Sequence, residues 1–196
     1  MYGCEGPMTF TNSRSSVDTD VLARAQRGEP TACRAIVRAY ERRVAGQLRA
    51  MLAPAGRAGL VEDLAQEVFL RAFRALPRFV PQGSASLATW LVTIATRVAL
   101  NELRRPRPFV RGLDTVSEDY GHAAHGQPVG AVGRAIERAI ADLPAVYRGA
   151  FLLRELHGLD YTEIAALCEV DLGTVKSRLS RARAKLRSAL EDEVQR

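Results

Sequence analysis

Between residues 172 and 187 apolar side chains return at the pitch of an α-helix and at no other. Val175, Leu179, Ala182 and Leu186 stand at i, i+4, i+7 and i+11, on one face. Lys176, Arg178, Arg181, Arg183, Lys185 and Arg187 lie off that stripe, and no acidic residue interrupts them. Just upstream, Tyr161 to Leu167 reads as a short helix and Cys168 to Leu172 as a turn, so the pair reads as a helix-turn-helix. A helix with one apolar edge and a cationic remainder suits a polyanion; the alternative is the solvated face of an ordinary surface helix. In such a pair the second helix enters the major groove with its N-terminal residues at base edges, here Thr174, Lys176, Ser177 and Arg178. Arg181, Arg183 and Lys185 are placed for phosphates, which position a protein without reading sequence.

The helical period extends through the rest of the chain, and no alternating apolar run argues for a strand. One block spans residues 18–105. Its first helix runs from Asp20 to Gly28 and stops at Gly28-Glu29-Pro30. The second, Thr31 to Leu52, carries Ile36, Val37, Tyr40, Val44, Leu48 and Leu52 as its stripe. A third, Val61 to Leu76, presents Val61, Leu64, Ala65, Val68, Phe69 and Ala72. A fourth, Leu87 to Arg105, offers Trp90, Leu91, Ile94, Val98 and Leu103 to a core, with Ser86 as its cap. A second block, residues 134–196, holds helices over Arg134–Asp142, Pro144–His157, Tyr161–Leu167 and Leu172–Leu190. Asp160 and Glu163 have capping-box spacing, and Asp171 could cap the last helix. Residues 106–133 are rich in Pro and Gly and show no sustained period, which is long for a loop inside one domain. The expected fold is therefore all-α: two small helical domains on a flexible linker, the C-terminal one a helix-turn-helix.

Composition excludes several classes. Hydrophobic residues make up 47% of the 196, too many for global disorder. The net charge of +6 favours an acidic partner, nucleic acid before membrane. No apolar run approaches the ~20 residues of a membrane span. Residues 1–17 are polar, without the apolar stretch of a signal peptide, and read as a disordered tail. Cys4, Cys33 and Cys168 are odd in number and far apart, which suits a reduced cytoplasm and buried small side chains at Cys33 and Cys168. His122 and His125, three apart without further ligands, make a poor metal site, and no Gly-rich phosphate loop or Ser-centred elbow occurs. No catalytic residues, metal or cofactor are expected, and the chain is not expected to be an enzyme.

Two further surfaces carry polar pattern. On the third helix Asp63, Gln66, Glu67 and Arg74 lie at i, i+3, i+4 and i+11, opposite the apolar stripe. This is either a solvated face or a seat for a basic protein partner. On the fourth, Arg97, Asn101 and Arg104 fall at i, i+4 and i+7. The preceding loop, Phe79 to Ala85, holds an aromatic and small polar groups, Gln82 and Ser84 among them. Loops of this kind can seat an unstacked base.

Taken in order, several segments resemble the extracytoplasmic-function group of bacterial sigma factors. They are Asp63-Leu64-Ala65-Gln66-Glu67-Val68-Phe69-Leu70-Arg71-Ala72-Phe73, Thr89-Trp90-Leu91 with Ile94-Ala95, Leu143-Pro144, Tyr161-Thr162-Glu163-Ile164-Ala165, and Leu172 to Arg183. The resemblance implies that residues 18–105 form a region-two domain and residues 134–196 a region-four domain. Asp63, Gln66, Glu67 and Arg74 would bind the beta-prime clamp helices of core RNA polymerase, whose beta subunit is a further partner. Phe79, Gln82, Ser84, Arg97, Asn101 and Arg104 would open and read the promoter's minus-ten element as single strand. Thr174, Lys176, Ser177, Arg178, Arg181, Arg183 and Lys185 would read the minus-thirty-five element as duplex. Residues 106–133 would thread across the polymerase, and an anti-sigma factor would occlude these surfaces. The setting would be the cytoplasm, with no membrane contact by the chain itself.

The chain departs from that pattern in its turn, Cys168-Glu169-Val170-Asp171, where the family commonly has Gly and then Pro or Ser. Glu169 and Asp171 would bring negative charge near the DNA. The loop Pro81 to Leu87 lacks the charged and aromatic residues common in relatives. Two other readings stand beside this one: a free-standing dimeric helix-turn-helix regulator, and a helical adaptor whose basic helix docks an acidic protein.

Overall fold

A computed structural model describes residues 17–80, 86–106 and 130–194 of the chain. Among these residues there are helices and turns and no strand. Block one comprises α1 (Thr19–Gln26), α2 (Pro30–Leu52), α3 (Val61–Ala75) and α4 (Leu87–Arg104). Block two comprises α5 (Ala131–Ala141), α6 (Ala145–Phe151), α7 (Tyr161–Cys168) and α8 (Leu172–Val194). None of the helices among the described residues is long and apolar enough to cross a membrane.

The apolar stripes of α2, α3 and α4 meet in one core. Ile36, Val44, Leu48 and Leu52 of α2 join Val68, Phe69 and Ala72 of α3 and Leu91 and Ala95 of α4, all buried. Burying each large aliphatic side chain contributes about 1.5–3 kcal/mol, so this core rather than helix propensity fixes the block. Local signals set the ends. The Ser86 hydroxyl accepts from the Thr89 N–H at 3.2 Å. Gly28 at φ +83° lets the chain reverse between α1 and α2. The α4 C-terminus is tied down by Arg57, which pairs with Glu102 at 3.1 Å and donates to the Arg105 carbonyl at 2.9 Å.

Three boundaries differ from the sequence reading, each for a local reason. Helix α5 begins at Ala131 rather than Arg134, because Gly130 takes the extended N-cap conformation and Gly133 is carried inside the helix. Pro144 is the N-cap of α6 rather than its first residue, and its carbonyl accepts from Tyr147 and Arg148 at 2.9 and 3.0 Å. The single helix read over Pro144–His157 is α only to Phe151. Residues 152–156 widen into a π turn, with the His157 N–H reaching back five residues to the Leu152 carbonyl. That extra residue rotates His157 out of the pattern a straight α-helix would give.

The two blocks share a buried junction, which helical periodicity did not announce. Val92 of α4 is fully buried, and it clusters not with block one but with Ala150, Leu153, Leu159, Ile164, Val175 and Leu179 of block two. Arg148 of α6 is 6% exposed and donates to the Leu143 carbonyl of its own block and to the Ala50 and Met51 carbonyls at the end of α2. Cations at a helix C-terminus satisfy carbonyls left without intrahelical donors. Gly149 lets the helices close: a Cβ there would stand 3.0 Å from Thr96 Cγ2 and 3.4 Å from Met51 Cε.

A polar relay crosses the same junction in one direction. Arg43 has no acceptor, so His157 Nδ1, 3.4 Å from its guanidinium, must be the acceptor. The other ring nitrogen, Nε2, then carries the proton and donates to Gln47 Oε1 at 2.9 Å. Gln47 Nε2 donates to Thr96 Oγ1 at 2.8 Å, and that hydroxyl donates to the Val92 carbonyl at 2.8 Å. Gln47 and Thr96 are each 1% exposed, so their polar atoms require these partners. Burial, reinforced by the Arg43 charge, lowers the His157 pKa from 6.5 to about 3, and the ring is neutral.

Candidate nucleic-acid interface

The basic helix is held by the stripe read from sequence. Val175, Leu179 and Ala182 of α8 are at most 1% exposed and Leu186 is 9%. They pack on Ile164 of α7, Leu153 and Leu159 beyond α6, and Ala139 and Leu143 at the end of α5. This packing turns Lys176, Arg181, Arg183 and Lys185 outward as exposed side chains, with Thr174, Ser177 and Arg178 half-buried. The Ser177 hydroxyl donates to the Thr174 carbonyl at 2.9 Å, which leaves its lone pairs available to a donor.

Two of these cations have partners inside block two. Arg181 donates to the Tyr147 hydroxyl at 3.3 Å. Arg183 donates to the Tyr161 hydroxyl at 2.9 Å and pairs with Glu155 at 2.8 Å, and the Glu155 carboxylate raises its pKa. Sequence proximity could not show Glu155 here, since it lies 28 residues away. Arg183 therefore braces α8 against the end of α6 and the start of α7, and a phosphate would compete with Glu155 for it.

The turn forms as its capping residues require. Asp160 accepts from the Glu163 N–H and Glu163 accepts from the Asp160 N–H, both at 2.7 Å, completing the capping box. The Thr162 hydroxyl and the Glu163 N–H hold the Asp160 pKa below its usual range. Helix α7 ends at Glu169 in the left-handed conformation, φ +53°, closed by the Val170 N–H on the Ala165 carbonyl at 3.1 Å. A side chain there costs about 1–2 kcal/mol relative to glycine. The Glu169 carboxylate, read from sequence as lying near DNA, sits 2.7 Å from the Arg97 guanidinium of α4.

On α4, Asn101 and Arg104 are exposed and 3.5 Å apart, and Arg97 is half-buried. Phe79 lies against Trp90, centroids 4.7 Å apart, and its carbonyl is anchored by Gln26 Nε2 at 2.7 Å. Gln82 and Ser84 lie outside the described residues, as do residues 1–16 and 107–129. Arg97, Asn101 and Arg104 share one cleft of about 450 Å³ with Arg71 of α3 and with Cys168, Glu169 and Arg178 of block two. Cys33 and Cys168 are half-buried, and burial pushes the Cys168 thiol up.

The polar face of α3 stands as spaced. Asp63, Gln66 and Arg74 are exposed and Glu67 is half-buried, paired with Arg71 at 2.5 Å. Within that face Leu70 is 58% exposed, and on α5 Val132 is 74% and Ile136 41% exposed. Sequence reasoning passed over these three. The signal was present for Leu70, an apolar residue off the stripe of an amphipathic helix. It also missed Arg43, Gln47, Arg148 and His157, whose partners lie across the junction.

The sequence matches Sigma-70 region 2 over residues 36–108 and Sigma-70 region 4 over residues 133–186. It is 34% identical over 195 aligned residues to the ECF RNA polymerase sigma-E factor of Escherichia coli K12, covering 93% of this chain and 97% of that protein. It is 33% identical over 186 residues to the RNA polymerase sigma-H factor of Pseudomonas aeruginosa, covering 89% and 94%. Among solved structures, the sigma factor RpoE bound to the anti-sigma factor NepR, from Bartonella quintana, matches with a TM-score of 0.52 and 28% identity over 76% of this chain and 92% of that one. CnrH in complex with the cytosolic domain of CnrY matches with a TM-score of 0.60 over 88% and 96%, and at 22% identity supports the fold alone.

Proposed function

The chain belongs to the sigma-70 family, in its extracytoplasmic-function group, and directs transcription initiation by RNA polymerase; from that premise we propose which surface does what. Residues 18–105 form the unit that binds core polymerase and the minus-ten element, and residues 134–196 the unit that binds the minus-thirty-five element. Residues 106–133 connect them across the polymerase.

The observation that carries this division is the segregation of charge on exposed helix faces. On α3, Glu62, Asp63 and Gln66 surround an exposed Leu70, a mix that suits a protein partner and repels DNA. This face, with Glu67 and Arg74, takes the beta-prime clamp helices. The apolar Val132 and Ile136 of α5 are available to the beta subunit. On α8 the exposed side is cationic, and Thr174, Lys176, Ser177 and Arg178 enter the major groove while Arg181, Lys185 and Arg183 follow the phosphates.

Arg97, Asn101 and Arg104, with Phe79 packed against Trp90, hold the opened strand together with Gln82 and Ser84. The polymerase supplies all bond chemistry and the chain is not an enzyme. It works in the cytoplasm and is bound by an anti-sigma factor, as the relative RpoE is in its complex with NepR. Each DNA contact is modest alone, and fixing both units on one polymerase raises their effective concentration.

Reconstitution tests the reading. The chain is mixed with core RNA polymerase and transcription is run on a library of promoter fragments. Transcripts that share two spaced elements support it. Tight, specific duplex binding without polymerase, and no transcripts with it, would replace it by a dimeric repressor-like regulator.

A further inference from the structure

Guanidinium groups from three helices border one cleft between the blocks. Arg71 comes from α3, Arg97 and Arg104 from α4, and Arg178 from α8. Two carboxylates answer these four cations: Glu67 pairs with Arg71 at 2.5 Å and Glu169 with Arg97 at 2.7 Å. Among the described residues, Arg104 meets the neutral Asn101 Oδ1 at 3.5 Å, and Arg178 has no carboxylate partner. Arg104 and Arg178 thus remain as uncompensated positive charges, one on each block. Arg178 is half-buried, and it and Arg97 both act on the Cys168 thiol, countering the upward push that burial gives its pKa. Like charges gathered in a partly desolvated space repel, and burial without a partner is costly. An anion seated among them removes both penalties.

The cleft has the size and lining of a small-molecule site. Its volume is about 450 Å³, within the ~300–1,000 Å³ usual for such sites. Leu100, Ala150, Leu153, Ile164 and Val175 give it an apolar floor, and the arginines and Asn101 stand around that floor. A guanidinium presents two parallel N–H groups that match two oxygens of one phosphate, so arginine holds phosphate by shape as well as by charge. A single ligand that neutralises Arg104 and Arg178 together carries at least two negative charges. We propose that this cleft binds a diphosphate group, free or carried by a nucleotide: Arg104 and Arg178 grip its oxygens from opposite blocks, Asn101 adds an amide donor, and Arg97 joins them by exchanging Glu169 for phosphate. That exchange costs little, since Glu169 is 79% exposed. The site does not depend on the assignment of α4 to the opened promoter strand, so the two readings fail separately.

The cleft differs from the other cationic surface of the molecule. Lys176, Arg181 and Lys185 of α8 are exposed and do not line it. They attract any polyanion, but each acts in high dielectric, where salt screens it. A ligand in the cleft instead saturates at one per chain and needs an arginine from each block. Gripped from both sides, it is bound only by the folded chain, and so it stabilises that chain by mass action.

The test titrates the full chain with sodium pyrophosphate and with adenosine diphosphate by calorimetry, at about 0.15 M salt and without divalent cations. One ligand per chain is expected. Tighter binding of the nucleotide supports a nucleoside carrier seated on the apolar floor, and equal or weaker binding supports the free diphosphate. At about a hundred times its dissociation constant the ligand should raise Tm by about 5–10 °C. Arg104→Ala and Arg178→Ala each delete a charged hydrogen-bond donor, on opposite blocks, and each should weaken binding about tenfold or more. Glu169→Gln keeps the shape of the turn and frees Arg97, so it should tighten binding several-fold, a gain that a misfolded variant could not give. Lys185→Ala, outside the cleft, should leave binding unchanged, and circular dichroism checks that the helices persist in every variant. No binding of either probe would overturn the site. So would binding that Lys185→Ala weakens as much as Arg178→Ala does, or binding that survives Arg104→Ala and Arg178→Ala unaltered.

Discussion

His157 offers the sharpest quantitative test of the junction. Its neutral ring accepts from Arg43 and donates to Gln47, and a proton added at Nδ1 would point at a guanidinium 3.4 Å away. No other charge among the described residues offsets this. On the ring's own element Arg154 donates to the Leu159 carbonyl and Glu155 pairs with Arg183, while α2 and α4 contribute the neutral Gln47 and Thr96. The pKa is about 3 in the closed chain and 6.5 when the ring is free. The sign follows from the proton count. Between these values the opened or unfolded chain binds a proton that the closed chain refuses, so stability is complete above pH 6.5 and is lost as pH falls towards 3. The slope is about 1.4 kcal/mol per pH unit once the free ring is fully protonated, and going from about pH 7.5 to about pH 5 removes about 2 kcal/mol. That is a large fraction of the ~5–15 kcal/mol that holds a domain folded.

Urea unfolding at a series of pH values, run on the natural chain and on His157→Gln, measures the difference directly. Glutamine keeps a donor for Gln47 Oε1 and cannot ionise, so its stability should stay nearly flat over the interval while the natural chain falls. Carboxylates such as Asp160 and Glu29, whose pKa values are lowered by hydrogen bonds, titrate in both proteins and cancel. Parallel pH profiles would refute the buried neutral histidine and with it the relay across the junction.

Other consequences concern single sites. Arg178→Ala is expected to cost about 1–3 kcal/mol of promoter discrimination, and equal losses on matched and scrambled minus-thirty-five elements would contradict base readout there. Lys185→Ala should weaken binding evenly across sequences and flatten its salt dependence, whereas Arg183→Ala should in addition lower the melting temperature of block two, because its fork is shared with Glu155 and Tyr161. Asp63→Arg reverses charge on an exposed position of α3 and is expected to abolish co-purification with core polymerase while circular dichroism stays unchanged; retained co-purification would remove α3 from the polymerase interface. Asp160→Ala deletes the capping box of α7 and should cost about 1 kcal/mol of stability, read by thermal unfolding.

Local chemistry was legible in the sequence because local interactions cause it. The stripe of Val175, Leu179, Ala182 and Leu186 had to be buried wherever α8 docked, and it is. Ser86 and the Asp160–Glu163 pair cap helices through bonds that span three residues, so spacing alone sufficed. The exposed cations of α8 and the polar face of α3 followed from the same period.

Tertiary structure decided everything that depends on a partner far along the chain. Val92 reads as one more apolar residue of α4, yet it belongs to the neighbouring block's core. Arg148 looks like a surface cation on α6 and is buried on the carbonyl end of α2, 97 residues away. His157 looks like a residue ending a helix, and only the π turn before it brings it to Gln47, 110 residues away. Glu169 reads as a turn residue, and only the fold shows that its carboxylate meets Arg97 of the other block. Helix periodicity says which face is buried but not against what, since many faces of equal apolarity satisfy it. The choice among them rests on shape, on carbonyls without donors and on one glycine small enough to let two blocks close.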